Sequence, residues 1–483
     1  MNLFDGSVGW GTLSLLILCL TIALSFEFVN GFHDTANAVA TVIYTKSLKP
    51  WVAVIWSGFM NFLGVLLGGA AVAFSIVHLL PVDLLINIGK KAGLLMVLSL
   101  LIAAIAWNFG TWYFGLPASS SHALIGSILG VGLASSLFSG QGFGSGVNWT
   151  KAEQVGLSLL ISPVAGFLLA GGLLLLSKAL LKNRKLYEES KGDQPPPFWI
   201  RAILFLTCTG VSFAHGSNDG QKGVGLIMLI LIGILPTHYA INTKFDAGEV
   251  GKTLAGIQQI EPVLARAGET GVTDDLARIR EVLSDSKGLN SLSPETRIEL
   301  RNRVLRADDE LGRFEKSQGV NMSAAEKVAL TQLRAQMRNV VDFVVTWVVV
   351  AVALALGIGT TVGWKRVVVT VGEKIGKTHL SYAQGASAEI VAMTTIAAAD
   401  IFGLPVSTTH VLSSGVAGTM AANLSGLQAR TIRNIALAWV LTLPVTMLLA
   451  GALFAGTARS ALKEIGAPPV TPSRTERVLP KLE

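Results

Sequence analysis

The sequence predicts an all-α integral membrane protein, a polytopic helical bundle of about ten to twelve spans built on an internal duplication. Three observations predict it. Only 14% of the 483 residues are charged, against about 25% in soluble domains, while 51% are hydrophobic. The charge is also unevenly placed: Trp51 to Pro81 holds no acidic or basic residue apart from His78. Stretches of ~20 apolar residues, long enough for a ~30 Å hydrocarbon core, recur along the chain, and two motifs each occur twice. Helices buried in a large soluble enzyme would be shorter and amphipathic.

In chain order, apolar runs between polar breaks place spans near 12–29, 51–80, 93–114, 123–139, 155–181, 198–214, 222–236, 340–363, 380–402, 411–424 and 432–456. The first run, Leu13 to Val29, lacks a basic leader and a small-residue cleavage site, so it reads as a retained span. Segments 30–45 and 115–122 are too polar for ordinary spans and too apolar for plain loops. Pro163 and Pro444 fall inside spans, where neighbouring helices can satisfy the freed carbonyls. Gly64 and Gly68, like Gly126 and Gly130, have the spacing of close helix contacts.

Residues 238–339 break the pattern, with 15 basic and 15 acidic residues and apolar positions at three- and four-residue spacing. The division is therefore a first membrane repeat over 1–181, a polar linker over 182–197 and the start of a second repeat over 198–237. A soluble helical insertion follows over 238–339, then the rest of the second repeat over 340–456 and a polar tail over 457–483. Net charge is +7, with Lys and Arg at the ends of apolar runs, which suits lipid headgroups rather than nucleic acid. Cys19 and Cys208 sit inside predicted helices and have no metal-ligand or disulfide pattern.

The duplication is explicit. Phe28 to Ala40 aligns without a gap on Phe213 to Gly225, matching Phe28 with Phe213, Gly31 with Gly216, Asp34 with Asp219 and Val39 with Val224. Phe114-Gly-Leu-Pro-Ala-Ser-Ser-Ser-His122 aligns on Phe402-Gly-Leu-Pro-Val-Ser-Thr-Thr-His410. Asp34 to Ser119 is 85 residues and Asp219 to Ser407 is 188, and the excess of 103 is close to the length of the insertion. Duplicated halves with matching polar, Gly- or Pro-interrupted segments point to the central site of a secondary transporter. Spacing alone leaves open whether the repeats are parallel or inverted.

The chemistry-bearing residues lie in these motifs. An intramembrane carboxylate costs about 2.5–3.5 kcal/mol on insertion scales, so Asp34 and Asp219 are expected to be paired, ion-bound or proton-carrying, with helix capping as the alternative. Ser119, Ser120 and Ser121, and their counterparts Ser407, Thr408 and Thr409, follow a Gly-Leu-Pro break. Such a helix start offers free N–H groups, a partial positive charge and neutral donors to an oxyanion; plain capping is the alternative. His122 and His410 are donors or spacers. Lys222 either balances an anion or snorkels from a helix end. Gly372 to Thr378 resembles a phosphate-binding loop but is one residue short, so no nucleotide site is expected and an ion gradient should drive transport. Neither a catalytic triad nor a zinc pattern is evident, and the chain does not read as an enzyme.

The segments Asn30 to Ala38, His215 to Lys222, Gly115 to His122 and Gly403 to His410 resemble the signatures of the inorganic phosphate transporter (PiT) family, in its bacterial low-affinity branch. The likeness covers roughly 12–237 and 340–456. It implies two inverted repeats with broken helices and helical hairpins around a central site. Asp34, Asn37, Ser119, Ser120, Ser121, Asn218, Asp219, Lys222, Ser407, Thr408 and Thr409 would then bind phosphate and its cations, with Asp34 and Asp219 holding the coupling cation. Glu389, eighteen residues before Ser407, matches an acidic transport position, whereas the first half has Leu101 there. Asn61 stands where sodium-coupled relatives are expected to carry Glu.

The resemblance implies symport of inorganic phosphate with protons, as a neutral complex with a divalent metal such as Mg2+, in a bacterial cytoplasmic membrane and as a homodimer. Sodium coupling, another tetrahedral oxyanion, an ion channel and a sensor reading out through the insertion are the competing expectations.

Overall fold

In the computed structural model the described residues are 9–80, 85–86, 91–139, 142, 144–189, 195–285, 289–318 and 322–462. The remainder of the polar tail expected over 457–483 and part of the linker lie outside them. Among the described residues the fold is all helical, with two isolated bridges, Glu189 to Ser381 and Gly376 to Leu427.

The first half comprises α1 (Trp10–Asp34), α2 (Ala36–Tyr44), α3 (Pro50–Leu67), α4 (Ala71–Val77), α5 (Lys91–Tyr113), α6 (Ser120–Ser139) and α7 (Trp149–Leu180). The second opens with α8 (Phe198–Ile234). The insertion is α9 (Ala247–Ala267), α10 (Gly271–Asp285), α11 (Pro294–Gln318) and α12 (Ala324–Val341), and α13 (Thr346–Thr361), α14 (Tyr382–Ile401), α15 (Thr408–Ala422) and α16 (Ala429–Leu462) complete the chain. The last helix continues to Leu462, past the boundary expected at 456.

Seven described helices are long and apolar enough to cross a membrane, or eight with α12 and α13, which meet at an 81° bend. The helices differ from the runs read off the sequence in two places. The runs 198–214 and 222–236 are one 37-residue helix, because His215 to Gln221 is buried among protein groups and the backbone need not break. And α14 and α15 form a hairpin around a polar interior rather than two long apolar spans. Segment 30–45 is likewise polar because it faces protein: Asp34 through Val42 are buried along the end of α1 and the whole exposed-free face of α2.

Two helical hairpins, α5–α6 and α14–α15, carry the duplicated Gly-Leu-Pro motif at their turns. Both turn the same way. Gly115 (φ 65°) and Gly403 (φ 62°) take the left-handed conformation that ends a helix without a Cβ penalty. The amide of Leu116 then donates to Thr111 and that of Leu404 to Ala399, closing matched end motifs. Glycine therefore stops each helix, and the proline of the Gly-Leu-Pro break lies two residues beyond, in the connection. The tips meet at His122 and His410, whose rings are 4.4 Å apart, with Trp439 4.1 Å from His410.

The halves are interlocked. Span α3 packs on α8 and α13 on α1; α7 packs on α15 and α16 on α6. Equivalent glycines make the crossings close: a Cβ on Gly64 would sit 2.2 Å from the Phe213 carbonyl, and one on Gly359 2.2 Å from that of Phe28. The small-residue pairs read from the sequence thus serve contacts within the chain, Gly64 and Gly68 against α8, Gly126 and Gly130 against α16. Equivalent helices α1 and α8 run antiparallel, since Glu27 lies against Gly223 while Asp34 lies near His215. Duplicated helices in opposite directions make the repeats inverted.

The insertion is a helical bundle whose buried Ile257, Leu276, Ile279, Leu300, Val304, Leu330 and Leu333 join the core of the membrane helices. Asp275 pairs with Arg303 and Arg306, and Asp308 with Arg334 and Arg338, joining neighbouring helices. Its two ends are fastened together: the Asn242 amide donates to Val340 at 2.7 Å, and buried Arg301 donates to Ala240 and Val341 carbonyls.

Candidate substrate and cation site

The site forms where the antiparallel centres of α1 and α8 meet the two hairpin tips. Asp34 and Asp219 come from the equivalent helices and are 2% and 1% exposed. Asp34 accepts from Thr409 (2.7 Å) and Ser120 (3.2 Å), one hydroxyl from each hairpin, and lies 2.9 Å from His33. Asp219 accepts from Lys222 at 2.6 Å. The Lys222 ammonium also donates to Ser121, at 2.5 Å, while Asn37, at the equivalent position of the first half, donates to Thr409 at 2.9 Å. Each repeat's helix therefore reaches the third hydroxyl of the other repeat's hairpin.

His215 sits between the carboxylates, with Nε2 3.4 Å from Asp219 and 3.8 Å from Asp34. Asn61 donates to Thr360, which turns its carbonyl oxygen to His215 Nδ1 at 2.8 Å. A proton on Nδ1 leaves the Nε2 lone pair facing the acids. Ligand atoms of Asp34, His215 and Asp219 all lie within 4.8 Å of one another. Asp219 Oδ2, His215 Nε2, Asn37 Oδ1 and Asn218 Oδ1 have no hydrogen-bond partner among the described residues. Buried acceptors without donors are costly, and Asp219 Oδ2 and His215 Nε2, which belong to the cluster with Asp34, fit a cation.

The hydroxyls divide by role. Ser119 and Ser407 cap α6 and α15, accepting from the His122 and His410 amides at 3.2 and 3.1 Å. The capping reading holds for these two, which still leaves each hydroxyl proton free to donate. Ser120, Ser121 and Thr409 point to the acids or to Lys222, and Thr408 is buried beside them in sequence. Lys222 does not snorkel: it is 1% exposed and ion-paired.

Two expected residues stand apart. Asn218 bonds Asp400 at 2.6 Å. Glu389 accepts from Thr41 and Thr207, the latter twelve residues or ~18 Å of helix before Asp219. The sequence reading passed over Glu27, fully buried in α1, although it is the one charged residue between Trp10 and Val29.

The phosphate transporter family model matches residues 30–450. The chain belongs to this family. It is 44% identical to the low-affinity inorganic phosphate transporter PitA of Escherichia coli (strain K12), over 91% of this chain and 96% of that one. To PitB of the same organism it is 42% identical, covering 94% and 98%. A solved structure, "the sodium-dependent phosphate transporter", shares the fold with TM-score 0.56 at 20% identity, over 94% of this chain and 100% of that one. Membership makes the chain a transporter and not an enzyme, and the antiparallel repeats place its polar residues on the axis that relates the two halves.

With the acids and hydroxyls only 1–2% exposed, the centre is closed to both sides. A cavity of about 640 Å³, lined by Trp112, Tyr113, Trp364, Lys365, Arg366 and Thr370, backs onto the first hairpin at Gly115. There Thr370 donates to the Gly115 carbonyl at 2.7 Å.

Proposed function

We propose that this protein is a symporter that carries inorganic phosphate across a bacterial cytoplasmic membrane, driven by protons and with phosphate bound to a divalent metal such as Mg2+. One observation carries the reading: two carboxylates and an imidazole nitrogen face one another within a ring of hydroxyls and a lysine. A bare phosphate placed against Asp34 and Asp219 would be repelled in a low-dielectric interior. A cation between them removes the repulsion. The metal, entering with phosphate as part of the substrate, would rest on Asp34, His215 and Asp219, while Ser120 and Thr409 turn from Asp34 to donate, together with Lys222, to phosphate oxygens. The names of the bacterial relatives support phosphate as substrate.

Hydroxyl donors suit a carrier, because neutral hydrogen bonds release an oxyanion more readily than a bidentate arginine clamp. Asn61 favours protons over sodium: it is neutral, and it is already engaged with His215 and Thr360.

The test is labelled phosphate uptake into proteoliposomes under imposed proton or sodium gradients, with and without Mg2+. Proton-driven, metal-dependent uptake that disappears in Asp34→Asn and Asp219→Asn is expected. Uptake following sodium alone overturns the coupling, and uptake indifferent to metal overturns the complex. Transport of sulfate but not phosphate overturns the substrate.

A further inference from the structure

Acidic groups lie at three levels along the first span. Glu27 is seven residues before Asp34, and Thr41, seven residues after it, holds Glu389. Seven residues are about 10 Å of helix, so buried carboxylates occur above, at and below the centre. The upper and lower levels differ. Glu389 is satisfied by two threonine hydroxyls. Glu27 is 0% exposed, and its one hydrogen bond is a long 3.5 Å contact from the Asn30 amide to Oε2. Its Oε1 has no partner among the described residues, and neither has Asn30 Oδ1.

Glu27 is not filling a gap by accident. It presses on α8 where the chain has Gly223, and a Cβ there would sit 2.4 Å from Oε1. Glu27 therefore lies against α8 next to Lys222 and one helical turn from Asp219. Among the described residues, the charged groups that act on it most strongly come from α8: Asp219, Lys222 and His215. The other helices packed on α1 add no acid or lysine along its span: α13 holds no ionisable residue, α5 only Tyr113 after Lys91, α6 only His122 and α2 only Tyr44. A carboxylate kept in the membrane without a salt bridge is a functional candidate by default. Asn30 can serve both of its states, donating to the ionised form through Nδ2 and accepting from the protonated form through Oδ1.

We infer that Glu27 carries the coupling proton, on the insertion side of the substrate centre. It takes a proton in the loaded carrier and gives it up on the far side, while the Asp34, His215 and Asp219 group handles the metal and phosphate. This rests on the proton-symport reading above, and sharpens it by separating the proton's seat from the substrate's.

The experiment compares Glu27→Gln and Glu27→Asp with the unaltered protein in proteoliposomes, using labelled phosphate with Mg2+. Two readouts are taken: accumulation under a pH gradient, and exchange of internal for external phosphate with no gradient. One coupled proton supports about tenfold accumulation per pH unit. Glu27→Gln, permanently neutral, is expected to bring accumulation down to equilibration while retaining exchange; Glu27→Asp should restore part of the accumulation. Accumulation retained in Glu27→Gln overturns the inference. So does loss of exchange together with accumulation in both variants, which assigns Glu27 to structure or to substrate binding. If the unaltered protein itself accumulates phosphate only under a sodium gradient, the symport reading falls and this one with it, and that result is read without any variant.

Discussion

Lys222 is the residue on which the two repeats differ most at the centre, standing where the first repeat has Asn37. It is paired with Asp219 in full burial, so removing one partner leaves an uncompensated charge. Lys222→Met should therefore lower stability by about 3–5 kcal/mol, and adding Asp219→Asn should recover much of that, as thermal unfolding in detergent will register. Thr409→Val removes a donor to Asp34, and Ser121→Ala the acceptor for Lys222. Hydrogen bonds to charged groups contribute about 1.5–3 kcal/mol, so each change should reduce kcat/KM for phosphate by ~10- to 100-fold. The acids and hydroxyls were legible because each occurs twice. Glu27 and His215 were not: Glu27 is a single charge in an apolar run without a repeat partner, and His215 is set in place by Asn61 and Asp34 on other helices as well as by Asp219 on its own.

At the scale of elements, close crossings and caps decide stability. Gly64→Ala and Gly359→Ala would each place a Cβ against a carbonyl oxygen of the opposite repeat. Overpacking of this kind costs about 1–3 kcal/mol, and because the contacts are equivalent both variants should lose similar amounts of thermal stability. In the insertion, α12 opens with a capping box between Ser323 and Glu326. Arg266 beside Glu326, helped by the Ser323 amide, holds that carboxyl down to about 2 from an ordinary 4.5. A lowered acid contributes stability that is complete above the unfolded value and lost as pH falls through the folded one. Hydrogen exchange in the first turn of α12 should therefore speed up, beyond its intrinsic rate, between pH 4.5 and 2, and Glu326→Gln should abolish that dependence. Helix periodicity and the duplication made most elements legible in advance. The merging of 198–214 with 222–236 was not, because a polar stretch reads as a break unless its partners on other helices are known.

For the whole molecule, the unbroken α8 has a consequence for topology. Lys182, Arg184 and Lys185 precede it and the insertion follows it, so the two lie on opposite faces of the membrane and cannot both be cytoplasmic. Single cysteines at Lys185 and Lys252, with Cys19 and Cys208 buried, should be labelled by an impermeant thiol reagent from opposite sides. The insertion is closed at its base by the Asn242 to Val340 hydrogen bond, so excision of 243–339 joins ends that already touch. Such a deletion should keep measurable phosphate uptake, where a sensor working through the insertion would lose its function.

The sequence by itself determined the solvent and the symmetry of this protein. Apolar run lengths and missing charge demand a membrane, and a repeated pair of motifs in register demands two equivalent halves with paired acids and hydroxyls. Only the tertiary structure decided that the halves are inverted, that each helix reaches the other's hairpin, and that Glu27 comes to rest against Gly223. The physical reason is that repeat and hydropathy are properties of single segments, whereas direction, crossing and the partnering of a buried charge belong to pairs of segments far apart in the chain.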